Sequence, residues 1–454
     1  MLTNQFTLPV PDCNARRLTL GWLLLGLAAL VIGGLFSLLI VLSRTPFFQE
    51  IVPWSDFFHT ALVVHVNLTV LVWFLAFAGV FWSYNNSNIH FAMGWLALAL
   101  SCLGTLIIVI SPFTGESRPL LNNYVPVLRN SVFLTGLVIF GIGFCLLVLR
   151  SCLTAMRSVN QTIGEGVLRF GLLVAVMAAL FAIAAFVMSY LGISDGFQGE
   201  AYYDRLFWGF GHIIQFSHTQ LMLVAWLWLA TVTGAGLRIS ARVTFVLFAL
   251  GLSPVLAVPA IYLFSSVSSG NHLLWFTQLM KYGGALAAVP IGLATMLAIF
   301  EYPRPAERYK VERNALLFSL LLFGVGGVIG FMISGSNVTI PAHYHGSIVG
   351  ITIAFMGMTY YLLPKLGFAK VHGRLARWQP GVYGTGQLMH ITGLAWSGGY
   401  NVQRKSSVAE QGIEQIAGMG LMGLGGLISI IGGVLFLVLV YLSMRSANNP
   451  GLNP

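Results

Sequence analysis

Charge is what this 454-residue chain has least of: 8% of its residues are Asp, Glu, Lys or Arg, against about a quarter in an ordinary soluble domain. That scarcity excludes a water-soluble globule. Acidic residues are the rarer sign, 13 against 23 Lys and Arg, and the resulting +10 does not indicate nucleic acid. The basic residues sit in short loops between apolar runs, where they orient helices in a bilayer instead. Cysteines are few as well. Cys13, Cys102, Cys145 and Cys152 form no CxxC pair, so neither a disulfide framework nor a thiolate metal site follows. The polar stretch from Met1 to Arg17 lacks the small-residue cleavage site of a signal peptide, which predicts that the first span is retained. No internal repeat is detectable, so the pattern does not support a tandem-repeat transporter.

What is present is apolar length. Hydrophobic residues make up 57% of the chain, and runs of the roughly 20 residues needed to cross about 30 Å of hydrocarbon recur between short polar breaks. They predict an all-α polytopic membrane protein, a single domain over 1–454 with twelve transmembrane helices at 18–43, 57–83, 90–112, 131–155, 167–193, 205–233, 240–266, 272–301, 315–336, 340–364, 378–400 and 419–444. With the N-terminus inside, the inner segments collect most of the Lys and Arg, among them Arg16, Arg17, Arg157, Arg238, Arg308 and Arg374. That asymmetry puts both termini on the cytoplasmic side. The outer loops gather acids, including Glu116, Asp195, Glu200, Asp204, Glu410 and Glu414. These are either simply solvated or a patch that docks a basic electron carrier.

Ionisable groups inside hydrocarbon are expensive and mark function. His65 lies about two turns into the second span, His212 about two turns into the sixth, and His343 and His345 near the start of the tenth. All enter from the outer side. Four imidazoles converging at one depth suit a buried metallocofactor layer, since neutral imidazole is the usual haem and copper ligand. At about 100° per residue, side chains two apart on a helix point about 200° apart. His343-Tyr344-His345 can therefore feed two cofactors, one on each flank, whereas a zinc site wants ligands on one face.

These segments bear a family resemblance. Pro341-Ala342-His343-Tyr344-His345-Gly346, followed by Met358-Thr359-Tyr360-Tyr361-Leu362-Leu363-Pro364, is similar to the tenth-helix signature of subunit I in the haem–copper oxidase and nitric oxide reductase superfamily. Phe207-Trp208-Gly209-Phe210-Gly211-His212 resembles that family's sixth-helix motif, and His65 with Asn67 falls where its second-helix haem ligand lies. The run Gly393-Leu394-Ala395-Trp396-Ser397-Gly398-Gly399-Tyr400-Asn401-Val402 extends the resemblance, which is closest to the B-type branch. It implies that His65 and His345 ligate a low-spin haem, that His343 holds a high-spin haem, both b-type, and that His212 is a ligand of a non-haem metal. It further implies a hetero-oligomeric complex in a bacterial or archaeal cytoplasmic membrane, fed by a cytochrome c or cupredoxin-type donor at the outer face, with O2 or NO as acceptor.

The pattern breaks at the non-haem metal. The family's consecutive His-His pair of the seventh helix is missing, because 240–266 contains no histidine. The tyrosine four residues after the sixth-helix histidine is Phe216, and the sixth span holds no Glu, only Gln215. Copper or non-haem iron would therefore sit in an incomplete site, His212 with water or Gln215. Lys281 lies in an apolar run two to three turns below the outer surface. It either pairs with a haem propionate or another anion, supplies the positive charge a missing copper would, loads protons, or snorkels outward. His212, Gln215 and Lys281 are thus the candidate catalytic groups. His218 is about 240° round the helix from His212 and is no co-ligand of it. His272 is placed at the interface, while His390 is core, haem edge or proton path. Three functions stay open: a dihaem oxidoreductase, a non-catalytic dihaem relay or gas sensor, and a secondary transporter using buried His and Lys.

Overall fold

A computed structural model describes residues 5–43, 57–85, 90–115, 117–155, 162–302, 304–400, 402 and 412–446. Glu116, Arg157, Asn401 and Glu410 lie outside them. Helices occupy every predicted span. They are α1 (Cys13–Ser43), α2 (Phe57–Val66, a π-helical turn Asn67–Val72, then Trp73–Tyr84), α3 (Phe91–Ile110), α4 (Ser131–Ala155), α5 (Ile163–Gly192) and α6 (Gly199–Val232). The rest are α7 (Ala241–Leu252 and Val258–Phe264, joined by a 3-10 turn), α8 (Gly270–Gly283 and Ala285–Glu301), α9 (Lys310–Phe331), α10 (Thr339–Lys365), α11 (Arg374–Gly399) and α12 (Ile413–Ser446). A two-stranded hairpin, β1 (Arg118–Leu120) against antiparallel β2 (Val127–Arg129), precedes α4.

Eleven of these helices are long and apolar enough to cross a bilayer, among the described residues. The expected twelfth, α11, is continuous but carries Arg374, Arg377, Gln379, Gln387 and His390, so it falls short in apolar character. Burial separates the remaining helices. The central windows of α6 and α10 are 94% and 89% buried, whereas α7 and α12 are 22% and 28% buried. The two enclosed helices carry the sixth- and tenth-span histidines.

By packing, the described residues fall into two compact units: Leu8–Leu221 with Arg242–Ala288, and Met1–Thr7 with Met222–Ala241 and Val289–Pro454. Helix α6 changes unit between Leu221 and Met222. In the first unit α2 supplies an aromatic ladder, Trp73, Phe77 and Phe81, with ring centroids 5.2 and 5.3 Å apart along it. Thr162 caps α5 by accepting from the Glu165 backbone N–H, and Glu165 pairs with Arg169 one turn on at 2.8 Å, a local start signal of the Thr-x-x-Glu kind. The second unit is a seam of α9, α10 and α11. Ala315, Leu322 and Ile329, seven residues apart on α9, pack with Ala342, Val349 and Ile353 of α10 and Ile391 and Leu394 of α11. A Cβ at Gly326 would stand 2.5 Å from the Ser347 backbone nitrogen of α10, so α9 and α10 touch backbone to backbone, as small residues permit between membrane helices.

Candidate functional site

On α2, the Nδ1 of His65 stands 2.8 Å from the Gly33 carbonyl of α1. A carbonyl only accepts, so Nδ1 carries the proton and the lone pair is on Nε2, the arrangement that prepares an imidazole for a metal. α1 can come this close because a Cβ at Gly33 would meet the Thr69 methyl at 2.7 Å. The π-helical turn begins two residues after His65, and such turns concentrate at functional positions. Within it, Thr69 Oγ1 donates to the His65 carbonyl at 2.8 Å, and buried Asn67 donates to the Val63 carbonyl and, 2.8 Å away, to that of Pro126 in the hairpin loop.

Helix α6 presents His212 differently. Its Nδ1 lies 2.9 Å from the Trp208 carbonyl, and the Tyr124 hydroxyl lies 2.9 Å from Nδ1 and 3.0 Å from Nε2. The Trp208 carbonyl takes the Nδ1 proton, and the Tyr124 hydroxyl, nearly equidistant from the two ring nitrogens, lies off the in-plane axis of the Nε2 lone pair. The Tyr124 ring rests on Gly211, where a Cβ would be 2.0 Å from the tyrosine Cγ. Rings of Trp208 and Phe276 complete the surround at 4.9 and 6.0 Å. Gln215 turns back to donate to the Gly211 carbonyl of its own helix at 3.1 Å. His218 is buried against Phe74, 4.9 Å between centroids. His272, placed at the interface by the sequence, is instead fully buried against Tyr262 and Phe276, with Nδ1 3.1 Å from Ser265 Oγ. Among the described residues no three His, Cys, Asp or Glu side chains group so as to hold a metal ion.

In the other unit, His343 and His345 leave α10 toward different neighbours. Nδ1 of His343 is 2.7 Å from the Gly326 carbonyl of α9, and its ring covers Gly330, where a Cβ would be 2.6 Å away. His345 turns to α11, its ring 4.9 Å from that of His390 at 60°. His390 is held through Nδ1, 3.0 Å from the Met422 carbonyl of α12. His65, His343 and His345 are half-buried, whereas His212 is 4% exposed. With Nδ1 of His65 and of His343 turned to a carbonyl, each of these rings fits a haem ligand's requirement to present Nε2.

Of the courses the sequence leaves open for Lys281, the structure fits the outward one. The buried face of α8 runs through His272, Phe276 and Gly283, and at 100° per residue position 281 falls about 140° to 180° away from each. Its side chain is exposed, Nζ 5.9 Å from the Tyr282 ring centroid. Tyr124, in the loop between β1 and β2, lies against the His212 ring at 4.9 Å between centroids; Gly211 beside that histidine is the sequence signal for a closely approaching ring.

Comparison with known proteins gives the family and the fold. Residues 17–435 match the family described as cytochrome c and quinol oxidase polypeptide I. An uncharacterized protein of Rickettsia prowazekii is 30% identical, over 91% of this chain and 93% of that protein. Cytochrome c oxidase subunit 1 of Thermus thermophilus is 23% identical over 87% of this chain and 78% of its own length. The solved structure of a heme-copper terminal oxidase dimer superposes with a TM-score of 0.69 at 18% identity, covering 98% of this chain and 85% of that one.

Proposed function

This chain belongs to the cytochrome c and quinol oxidase polypeptide I family, a family of haem-based electron transfer and oxygen reduction, and we propose that it is the dihaem subunit of a membrane oxidoreductase complex whose non-haem metal site is altered. His65 and His345 hold the low-spin haem and His343 the high-spin haem, both b-type. The observation that carries this reading is the divergence of the tenth-helix pair, His343 to Gly326 and Gly330 on α9 and His345 to His390 on α11. One helix can thereby serve two cofactors without the two sites competing for a face.

When bound, the haems supply one-electron carriers, and the high-spin iron supplies a position for a small gas, O2 or NO. The chain's own residues do the rest. The carbonyls of Gly33 and Gly326 hold the Nδ1 protons of His65 and His343, which fixes the tautomer, orients each ring and raises the basicity of Nε2. Electrons enter from an outer-face donor, a cytochrome c or cupredoxin-type subunit. Both termini are placed in the cytoplasm of a bacterial or archaeal cell by the inner Lys and Arg.

A dihaem relay or gas sensor without turnover is the second reading, favoured by the lack, among the described residues, of any group of three His, Cys, Asp or Glu side chains that could hold a metal ion. Gln215 bonds its own helix and Lys281 lies at the surface, so neither receives a catalytic role, and the exposure of Lys281 removes the buried cation on which a transporter reading leaned. Haem and metal analysis of the purified complex tests the proposal. Two haems per chain, one low-spin and one high-spin, are expected; one haem, or none, refutes it. Rapid consumption of O2 or NO by that dihaem preparation would decide for turnover over relay.

A further inference from the structure

We infer that His390 of α11 is the positioning partner of His345, an imidazole whose Nε2 accepts the Nδ1 proton of the low-spin haem ligand. The inference rests on the reading that assigns His345 to that haem. Three features of the second unit carry it.

The first is where His390 stands. An ionisable side chain within a membrane span is expensive and marks function, and α11 keeps this one half-buried in its interior, with its ring 4.9 Å from that of His345 and tilted by 60°. At that spacing facing ring nitrogens of two imidazoles come within hydrogen-bond reach.

The second is which nitrogen His390 offers. Its Nδ1 lies 3.0 Å from the Met422 carbonyl of α12. A carbonyl only accepts, so Nδ1 carries the proton and Nε2 keeps its lone pair. His390 therefore meets its neighbour as an acceptor, and an imidazole with Nε2 on iron has its Nδ1–H to donate.

The third is the cradle that α12 forms for the ring. A Cβ at Gly425 would run into the His390 backbone nitrogen, one at Gly393 would run into the Met422 backbone nitrogen, and one at Gly426 would stand 3.4 Å from His390 Nδ1. Helices α11 and α12 thus touch backbone to backbone around His390, as small residues permit. That contact brings the Met422 carbonyl to the ring and fixes its rotation as well as its tautomer. His65 and His343 give their Nδ1 protons to the Gly33 and Gly326 carbonyls, at 2.8 and 2.7 Å; His390 does the same for His345 with a nitrogen, a stronger base than an amide oxygen. The low-spin ligand gains electron density, and the potential of its haem is drawn down.

The test uses the purified complex. His390→Phe keeps a ring against His345 and removes the acceptor, whereas His390→Gln keeps an acceptor oxygen. In a redox titration the low-spin midpoint potential should rise in His390→Phe and stay near the parental value in His390→Gln, with the carbon monoxide difference spectrum of the high-spin haem unchanged in both. The low-spin electron paramagnetic resonance signal of oxidised His390→Phe should persist with altered g values. Should His390→Phe fail to assemble, His390→Leu removes the acceptor with less volume and carries the same expectation. A parental potential with parental g values in the variant that lacks the acceptor overturns the inference, and so does an equal shift in His390→Gln. A parent protein with no bis-imidazole signal at all overturns the dihaem reading itself and the inference with it, an outcome distinct from a signal that is present and does not move.

Discussion

Gly330 gives the sharpest handle on the high-spin side. A methyl group at this position would lie 2.6 Å from Nδ1 and 2.7 Å from Cε1 of His343. An ordinary contact needs about 3.4 Å or more, so Gly330→Ala must drive the imidazole away by about 0.8 Å. Moved directly outward, its 2.7 Å bond to the Gly326 carbonyl opens to about 3.5 Å, which is no longer a hydrogen bond. Loss of such an orienting partner typically lowers metal affinity 10- to 100-fold, about 1.4 to 2.7 kcal/mol. Against this, alanine is favoured over glycine inside a helix by about 1 kcal/mol, so the protein itself should fold normally. Gly327 supplies the control: a Cβ there meets nothing within 4 Å, and Gly327→Ala should leave every haem signal unchanged. The assay is the reduced carbon monoxide difference spectrum of each purified variant, which reports the five-coordinate haem, alongside the low-spin α-band. Gly330→Ala should lose or weaken the former and keep the latter. A Gly330→Ala protein with full high-spin haem of unchanged ligand affinity would refute the placement of His343.

Two other substitutions follow from the packing. Lys281→Met should leave haem potentials and cyanide binding at their parental values, since the ammonium is exposed and off the buried face of α8; a lowered potential in a redox titration would return Lys281 to the site. Asn67→Ala removes two hydrogen bonds from a buried amide and should cost about 1 to 3 kcal/mol, read as a lower thermal midpoint, whereas an unchanged midpoint would mean that the hairpin is held by other contacts.

Much of this architecture is legible in the sequence because the bilayer imposes a single length scale on apolar runs. The fourth span, expected at 131–155, is Ser131–Ala155 in the structure. Breaks inside spans are less visible. Pro254 and Pro259 interrupt α7 with a 3-10 turn, and the π-helical turn after His65 has no sequence signature at all, because one extra residue per turn changes neither composition nor hydropathy. The divergence of His343 and His345 follows from helix geometry alone. What they diverge toward does not: His390 is 45 residues downstream of His345 and meets it only through the packing of α10 on α11. Lys281 shows why its alternatives stay open in the sequence. An apolar run gives depth along a helix, but facing is set by a periodicity that lipid and core residues share when both are hydrophobic. Tyr124 was least legible, since a loop residue's target depends on tertiary anchors, here Asn67 and Asp204, that lie in other elements.

The central claim is that one helix serves two haems from opposite flanks, and the direct measurement is the electron paramagnetic resonance spectrum of the oxidised His343→Ala and His345→Ala proteins beside the parent. His345→Ala should lose the low-spin bis-imidazole signal and retain the high-spin one, and His343→Ala should do the reverse. Equal loss of both signals from either folded variant would contradict the assignment.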